Sequence, residues 1–140
     1  MKISTKGRYA VSALIEIVLS SEKGPITLSD LAAMQGISLS YAEQLFAGLR
    51  RQSIVKGTRG PGGGFALARA PHEITIAEII RAVYDNDAEN TGDETNDDGK
   101  RAATYWKNLD HRIDTFLEKI TLADVIGPGR SSADSMSFGA

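Results

Sequence analysis

A run of four glycines and one proline at residues 60–64 constrains the fold of this chain more than any other stretch. Residues with strand character flank it, at 54–58 and 64–68, so the run predicts a tight, exposed β-hairpin. Arg59 is the one bulky side chain at its tip. A phosphate-cofactor loop would lead into a helix, whereas Phe65 continues a strand, so the pattern favours the hairpin.

Two short helices are predicted directly before the hairpin. Thr27 and Asp30 form a capping-box pattern that opens the first helix, and Gly36 supplies its stop. The second helix begins at Ser38 or Ser40. Its apolar positions recur at helical spacing and are Leu39, Ala42, Leu45, Phe46 and Leu49. Two helices joined by a glycine turn and followed by a hairpin outline a winged helix-turn-helix, a DNA-binding motif.

Charge is divided unevenly along the chain. Residues 1–70 hold nine Lys/Arg and four Asp/Glu, a balance of +5, and residues 71–140 hold seven and fourteen, a balance of −7, which together give the net −2. A basic half is what a phosphate-binding surface needs, whereas an acidic half is usually solvated surface. The division therefore favours nucleic-acid binding by the first half only.

Four motifs carry a resemblance to a known family. They are KGRYA at residues 6–10, GISLSY at 36–41, EQLF at 43–46 and RGPGGG at 59–64. Through them the chain resembles the IscR-like members of the Rrf2 family of bacterial winged-helix transcription regulators. The resemblance implies a mainly α fold with a small β-hairpin, in which a winged helix-turn-helix domain is followed by a long C-terminal dimerisation helix.

The chain divides into four expected segments. A DNA-binding domain spans residues 1–84, and a dimerisation helix with a short final turn spans 100–126. Between them, residues 85–99 contain seven acids and no base, so this loop buries too little apolar surface to become ordered. The loop also lacks the ligand spacing of an EF-hand calcium site. Residues 127–140, rich in serine and glycine, are expected to be disordered.

The polar face of the second helix supplies the candidates for reading DNA. Glu43 can accept a hydrogen bond from cytosine and Gln44 can pair with adenine, although a capping box between Ser40 and Glu43 is an alternative. Arg59 suits a narrow minor groove, and the alternative is a structural hairpin with Arg59 in solvent. The resemblance also assigns sequence discrimination to Glu43. The full set of expected DNA contacts is Ser38, Ser40, Tyr41, Glu43, Gln44, Arg50, Arg59, Gly60, Pro61, Gly62 and Gly63.

A long amphipathic helix is predicted at residues 101–120. Such a helix after a small DNA-binding domain is usually a dimer interface, and the alternative is packing within the chain. A homodimer would match a palindromic operator. The expected dimerisation residues are Trp106, Leu109, Ile113, Phe116, Leu117 and Ile120.

The resemblance breaks at the iron–sulfur ligands. Family members of this kind hold a two-iron, two-sulfur cluster with three cysteines and one histidine, and the last pair of ligand positions falls here on Lys100 and Ala103. The chain has no cysteine. The oxygen ligands of the acidic loop hold such clusters poorly, so we expect no cofactor. A naturally cluster-free regulator, a sensor of another signal and an engineered variant all stay open.

The sequence thus predicts a non-enzymatic repressor that binds double-stranded DNA as a cluster-free homodimer. The alternatives are a regulator controlled by an unknown small molecule or protein partner, and a protein-interaction module that does not bind DNA. No nucleophile–base pair or metal constellation indicates an enzyme. The apolar run at residues 10–19 is too short to span a bilayer, and the start of the chain has no cleavable signal pattern. We therefore expect no membrane partner and a cytoplasmic location.

Overall fold

The computed structural model describes residues 4–84 and 97–127, and the side chains of 4–84 and 101–127. This part of the chain confirms the mainly α fold with one hairpin. The predicted disordered tail, apart from its first residue, and most of the predicted acidic loop lie outside the described residues. The elements are α1 (Thr5–Leu19), α2 (Leu28–Gln35), α3 (Leu39–Arg51), β1 (Val55–Thr58), β2 (Gly64–Leu67), α4 (Ile76–Val83), α5 (Asp97–Glu118) and α6 (Leu122–Ile126), with short 3-10 turns at Ser21–Lys23 and Pro71–Glu73.

One apolar core joins the helices. Leu14 of α1, Leu49 of α3 and Ile79 of α4 are completely buried in it. Burial of each such side chain stabilises the fold by about 1.5–3 kcal/mol. α3 approaches α4 closely at Gly48, where an added Cβ would lie 2.2 Å from the carbonyl oxygen of Ala82 in α4. Glycine is therefore needed there for α3 to sit against α4.

The hairpin is held to this core at its base. β1 and β2 pair antiparallel, with Val55 opposite Leu67. Ile26, just before α2, exchanges two backbone hydrogen bonds with Phe65 of β2, at 3.1 and 2.7 Å. The Phe65 ring also packs on that of Phe46 in α3, with 4.9 Å between centroids. The far end of the hairpin, at residues 56–62, is exposed to solvent.

The end of α5 returns to the same core. Leu117 is buried there, and Thr121 forms an isolated antiparallel bridge with Thr75, which precedes α4. Thr75 and Thr121 each cap the helix that follows them in a full capping box. α5 begins at Asp97, so residues 97–99, which were predicted to be loop, are helical. None of the described helices is both long enough and apolar enough to span a membrane.

Candidate nucleic-acid interface

The turn between α2 and α3 has the geometry of a helix-turn-helix. Gly36 adopts a left-handed conformation, with φ of 67°, and ends α2 as predicted. The Ile37 amide donates to the Ala32 carbonyl oxygen of α2. This bond turns the backbone, so that α3 can begin directly after Ser38. The Ser38 hydroxyl accepts the Tyr41 N–H at 3.1 Å and caps α3. The recognition helix therefore follows the turn without a spacer.

One alternative and one expectation about the start of α3 are wrong. Ser38 is the cap, so Ser40 and Glu43 do not form the capping box that was the alternative role for Glu43. Leu39 was expected in the buried stripe but is 47% exposed. At about 100° per residue, Leu39 lies nearer to Glu43 and Arg50 than to the middle of the buried stripe.

The outer face of α3 is polar and has a small residue at its centre. Ala47 lies between Ser40 and Glu43 on this face, and sequence reasoning did not single it out. A side chain of this size allows the helix to approach base edges closely and can contact a thymine methyl group. A helical wheel of residues 39–51 would have placed Ala47 on the exposed face. The exposed residues of this face are Leu39, Ser40, Glu43, Gln44, Ala47, Arg50 and Arg51.

Tyr41 is less exposed than its neighbours. Its ring meets the Tyr9 ring of α1 edge-on, with 5.8 Å between centroids. Burial raises the pKa of the Tyr41 phenol, and the nearby Tyr9 hydroxyl raises it further. Tyr41 is therefore neutral at physiological pH and can donate a hydrogen bond from a fixed ring.

The hairpin tip is exposed and built from glycine. Residues 59–62 all lie exposed, Pro61 among them, and Gly60 and Gly62 have φ of 93° and 76°, which side chains rarely adopt. The Gly63 amide donates to the Gly60 carbonyl oxygen at 2.9 Å. A Cβ on Gly63 would lie 2.3 Å from the Thr58 carbonyl oxygen. The tip thus presents the Arg59 guanidinium on a narrow wing that no bulky side chain widens.

The predicted dimerisation residues differ in burial, and Ile120 lies just beyond the end of α5. Trp106, Leu109 and Phe116 are 63%, 44% and 63% exposed, and Ile113 and Ile120 are partly buried against the core. Leu117 must be removed from the predicted set, since it is only 7% exposed and packs inside its own chain. Leu117 lies near the end of α5, where this helix packs against the core of the winged domain.

The residues present do not fit an iron–sulfur cluster. The chain contains no cysteine, so no thiolate ligand is available. Within residues 4–84 and 97–127, no group of three or more His, Asp or Glu side chains is arranged to hold a metal ion. His111, on α5, is exposed.

Comparisons with known proteins agree with this geometry. The model of the Rrf2 family, described as an iron-dependent transcriptional regulator, matches residues 3–128. The HTH-type transcriptional regulator IscR of Erwinia tasmaniensis is 44% identical over 130 residues, which cover 90% of this chain and 79% of that protein.

Solved structures of two such regulators have the same fold. T. potens IscR matches with a TM-score of 0.73 and 34% identity, covering 99% of this chain and 94% of that one. CymR, the global cysteine regulator of B. subtilis, matches with a TM-score of 0.69 and 34% identity, covering 89% and 95%. The chain therefore belongs to the Rrf2 family, and it is an IscR-like DNA-binding transcription regulator, not an enzyme.

Proposed function

We propose that this regulator represses transcription as a homodimer bound to a palindromic operator, without an iron–sulfur cluster. The apolar outer face of α5 carries the proposal. Tyr105, Trp106, Leu109 and Phe116 are 70%, 63%, 44% and 63% exposed in the single chain. Exposed apolar patches of this kind mark interaction surfaces, because covering them removes apolar area from water.

A second copy of the chain is the partner that fits this face best. The face pairs with itself around a two-fold axis, as in most homodimers. Leu117 and the bridge between Thr75 and Thr121 fix α5 to the winged domain, so pairing two α5 helices would also fix the separation of two recognition helices. Two-fold proteins of this design bind half-sites about 34 Å apart.

Each winged domain would then contact DNA through α3 and the hairpin tip. In the major groove, Ser40, Glu43 and Gln44 would meet base edges, because their side chains are exposed on one face of α3. Arg59 would enter the flanking minor groove. Phosphates would be bound by groups that surround these residues: Ser38, Tyr41, Arg50 and the backbone amides of Gly60 and Gly62. The Gly63 amide is already donated to the Gly60 carbonyl oxygen, so Gly63 would shape the tip of the wing instead of binding phosphate.

Repression is the simplest outcome of this proposal, because it needs nothing beyond binding to DNA. A dimer that occupies a promoter through the proposed surfaces would block polymerase directly. A DNA target in a bacterium also puts the site of action in the cytoplasm. Because the chain supplies no thiolate, its binding-competent state would be independent of an iron–sulfur cluster.

The test compares Leu109→Glu with Leu19→Glu, since these two leucines are similarly exposed at 44% and 48%. Sedimentation should give a dimer for the wild type and Leu19→Glu and a monomer for Leu109→Glu, because an unpaired charge would be buried in the interface. Selection from a random DNA pool, in air and without added iron, should recover a palindrome with the two dimers only. A monomeric wild type that recovers a single half-site would refute the homodimer.

Two further measurements test repression and the absence of a cluster. Transcription in vitro from a promoter that carries the recovered palindrome should fall when protein is added, and a rise would contradict repression. Incubation with iron, sulfide and a reductant should leave no stoichiometric iron on the protein and no visible absorption. DNA binding that appears only after this treatment would overturn the cluster-free proposal.

A further inference from the structure

One arginine at the base of the wing connects three separate segments of the domain. Arg69 follows β2, and its guanidinium donates from Nε to the Ser53 carbonyl oxygen at 3.3 Å and from Nη1 to the Glu73 carbonyl oxygen at 3.1 Å. Its Nη2 donates to Glu78 Oε1 at 2.9 Å. A planar guanidinium with all three nitrogens engaged has a fixed orientation, which a lysine ammonium cannot reproduce.

The bond to Ser53 acts on the joint between the recognition helix and the wing. α3 ends at Arg51 and β1 begins at Val55, so the backbone at Ser53 sets the angle at which the wing leaves the helix. Ser53 has φ of 57° and is the only non-glycine with positive φ among the described residues. A serine in this conformation persists only where its surroundings hold it, and the Arg69 bond is one such restraint.

The bond to Glu78 connects this joint to α4. Glu78 Oε2 accepts the Thr75 N–H at 2.9 Å, and the Thr75 hydroxyl accepts the Glu78 N–H at 3.1 Å. Both carboxylate oxygens of Glu78 are therefore used, one toward Arg69 and one toward the start of α4. Thr75 is also the residue that pairs with Thr121 after α5.

We propose that Arg69 is a positioning residue for DNA recognition, which holds the wing at a set angle to the recognition helix and fixes both to α4. Without it, the joint at Ser53 loosens and Arg59 no longer reaches the minor groove. This inference rests on the proposed contact between Arg59 and DNA. Arg69 acts through that contact, so the two arginines are not independent.

The test is a double-mutant cycle with Arg69→Met and Arg59→Ala. The probe is the palindromic duplex recovered by selection, together with the same duplex in which G·C pairs replace the A·T flank. Each single variant should weaken binding to the A·T-flanked duplex about tenfold and reduce the flank preference. The double variant should bind no worse than Arg59→Ala alone. Additive losses would overturn the proposal, and so would an unchanged flank preference in Arg69→Met.

Two controls separate positioning from simpler roles. Arg81→Met removes another Arg–Glu pair of α4, with Glu118, and should leave the flank preference unchanged. Arg69→Lys keeps the charge without the guanidinium fork, so it should lose affinity and flank preference as Arg69→Met does. It also provides the test if the methionine variant folds poorly. Wild-type binding by Arg69→Lys, or a salt dependence reduced beyond that of Arg59→Ala, would show that Arg69 is a phosphate contact instead. If Arg59→Ala itself binds normally, the proposed wing contact fails, which is a different result from failure of Arg69.

Discussion

The helices α3 and α5 each bury one side in the same core, yet they expose opposite chemistry to water. The exposed side of α3 carries polar groups such as those of Glu43 and Gln44. The exposed side of α5 carries aromatic groups such as those of Trp106 and Phe116. Neither exposed face is packed into the core of the single chain. The side chains that the core leaves exposed therefore suit the partners proposed above, which are a base-pair edge for α3 and a second apolar surface for α5.

The two helices also differ in how they are fixed. α3 is buried along most of its length and sits against α4 at Gly48. α5 joins the core near its end, at Leu117, while residues 104–109 are exposed. This difference suits their proposed partners, because a helix that enters a groove must be rigidly supported, whereas a helix that pairs with its copy must extend from the domain.

The largest expected effect comes from removing the rigid support of α3. In Gly48→Ala the new Cβ would collide with the Ala82 carbonyl oxygen, so α3 and α4 must separate. We expect a loss of about 2–3 kcal/mol in the free energy of unfolding, even though alanine favours helices. Urea denaturation measures it, and Ala47→Ser on the exposed side is the control, with a change within about 0.5 kcal/mol. Equal stability of the two variants would mean that α3 is not fixed by this contact.

A smaller effect separates the two sides of α3 by function. Glu43→Ala should reduce discrimination at one base position by about 1–3 kcal/mol, with little loss of affinity, because removing an acid near phosphates offsets the lost bond. Its stability should be nearly unchanged. Ser38→Ala is the contrasting variant, and loss of the cap should cost about 1 kcal/mol of stability. Base discrimination is measured by binding to single-base variants of the selected duplex. Stability is measured by denaturation of both variants. A stability loss in Glu43→Ala as large as that of Ser38→Ala would contradict the exposed position of Glu43.

The smallest effect concerns the residue through which α4 is connected to the wing joint. Burial disfavours ionised Glu78, but hydrogen bonds from Thr75 and Arg69, with the charge of Arg69, outweigh it and lower the pKa of the carboxyl. A lowered pKa in the folded state means that its stabilisation is present above pH 4.5, the ordinary value, and is lost as the pH falls through the folded value.

Comparing the wild type with Glu78→Gln should reveal this contribution. The pair is about one third exposed, with 31% and 36% for the two side chains, so solvent screening limits the effect to less than about 1 kcal/mol. Denaturation from pH 3 to 7 should show a steeper loss for the wild type below about pH 4.5. Parallel profiles would mean that Glu78 does not contribute through its charge.

Much of the fold could be predicted because its signals are local. Thr27, Thr75 and Thr121 cap their helices through bonds to the residue three positions on, and Gly36 ends α2 with its own backbone. A bond between residues that are three positions apart depends on very little outside that segment. The glycine run of the wing is equally local, since its positive φ values belong to the turn itself.

The sequence left a choice open where two residues could cap the same helix, and it led to errors where burial depends on the rest of the fold. Ser38 and Ser40 were both acceptable caps, and the bonds that complete the turn at Ile37 select the first. Leu39 and Leu117 both fit an apolar stripe, but the core covers only Leu117. Periodicity gives the side of a helix on which a residue lies, but not how far along that helix the core extends.

The sequence by itself determined the architecture, the family and the polar face of α3, because caps, glycine turns and helical periodicity act over a few residues. Only the tertiary structure decided the role of Arg69, whose three acceptors lie 16, 4 and 9 positions away along the chain. It also decided the need for Gly48, since the obstacle there is a carbonyl oxygen of another helix. Such contacts form when distant segments pack together, and no local pattern records them.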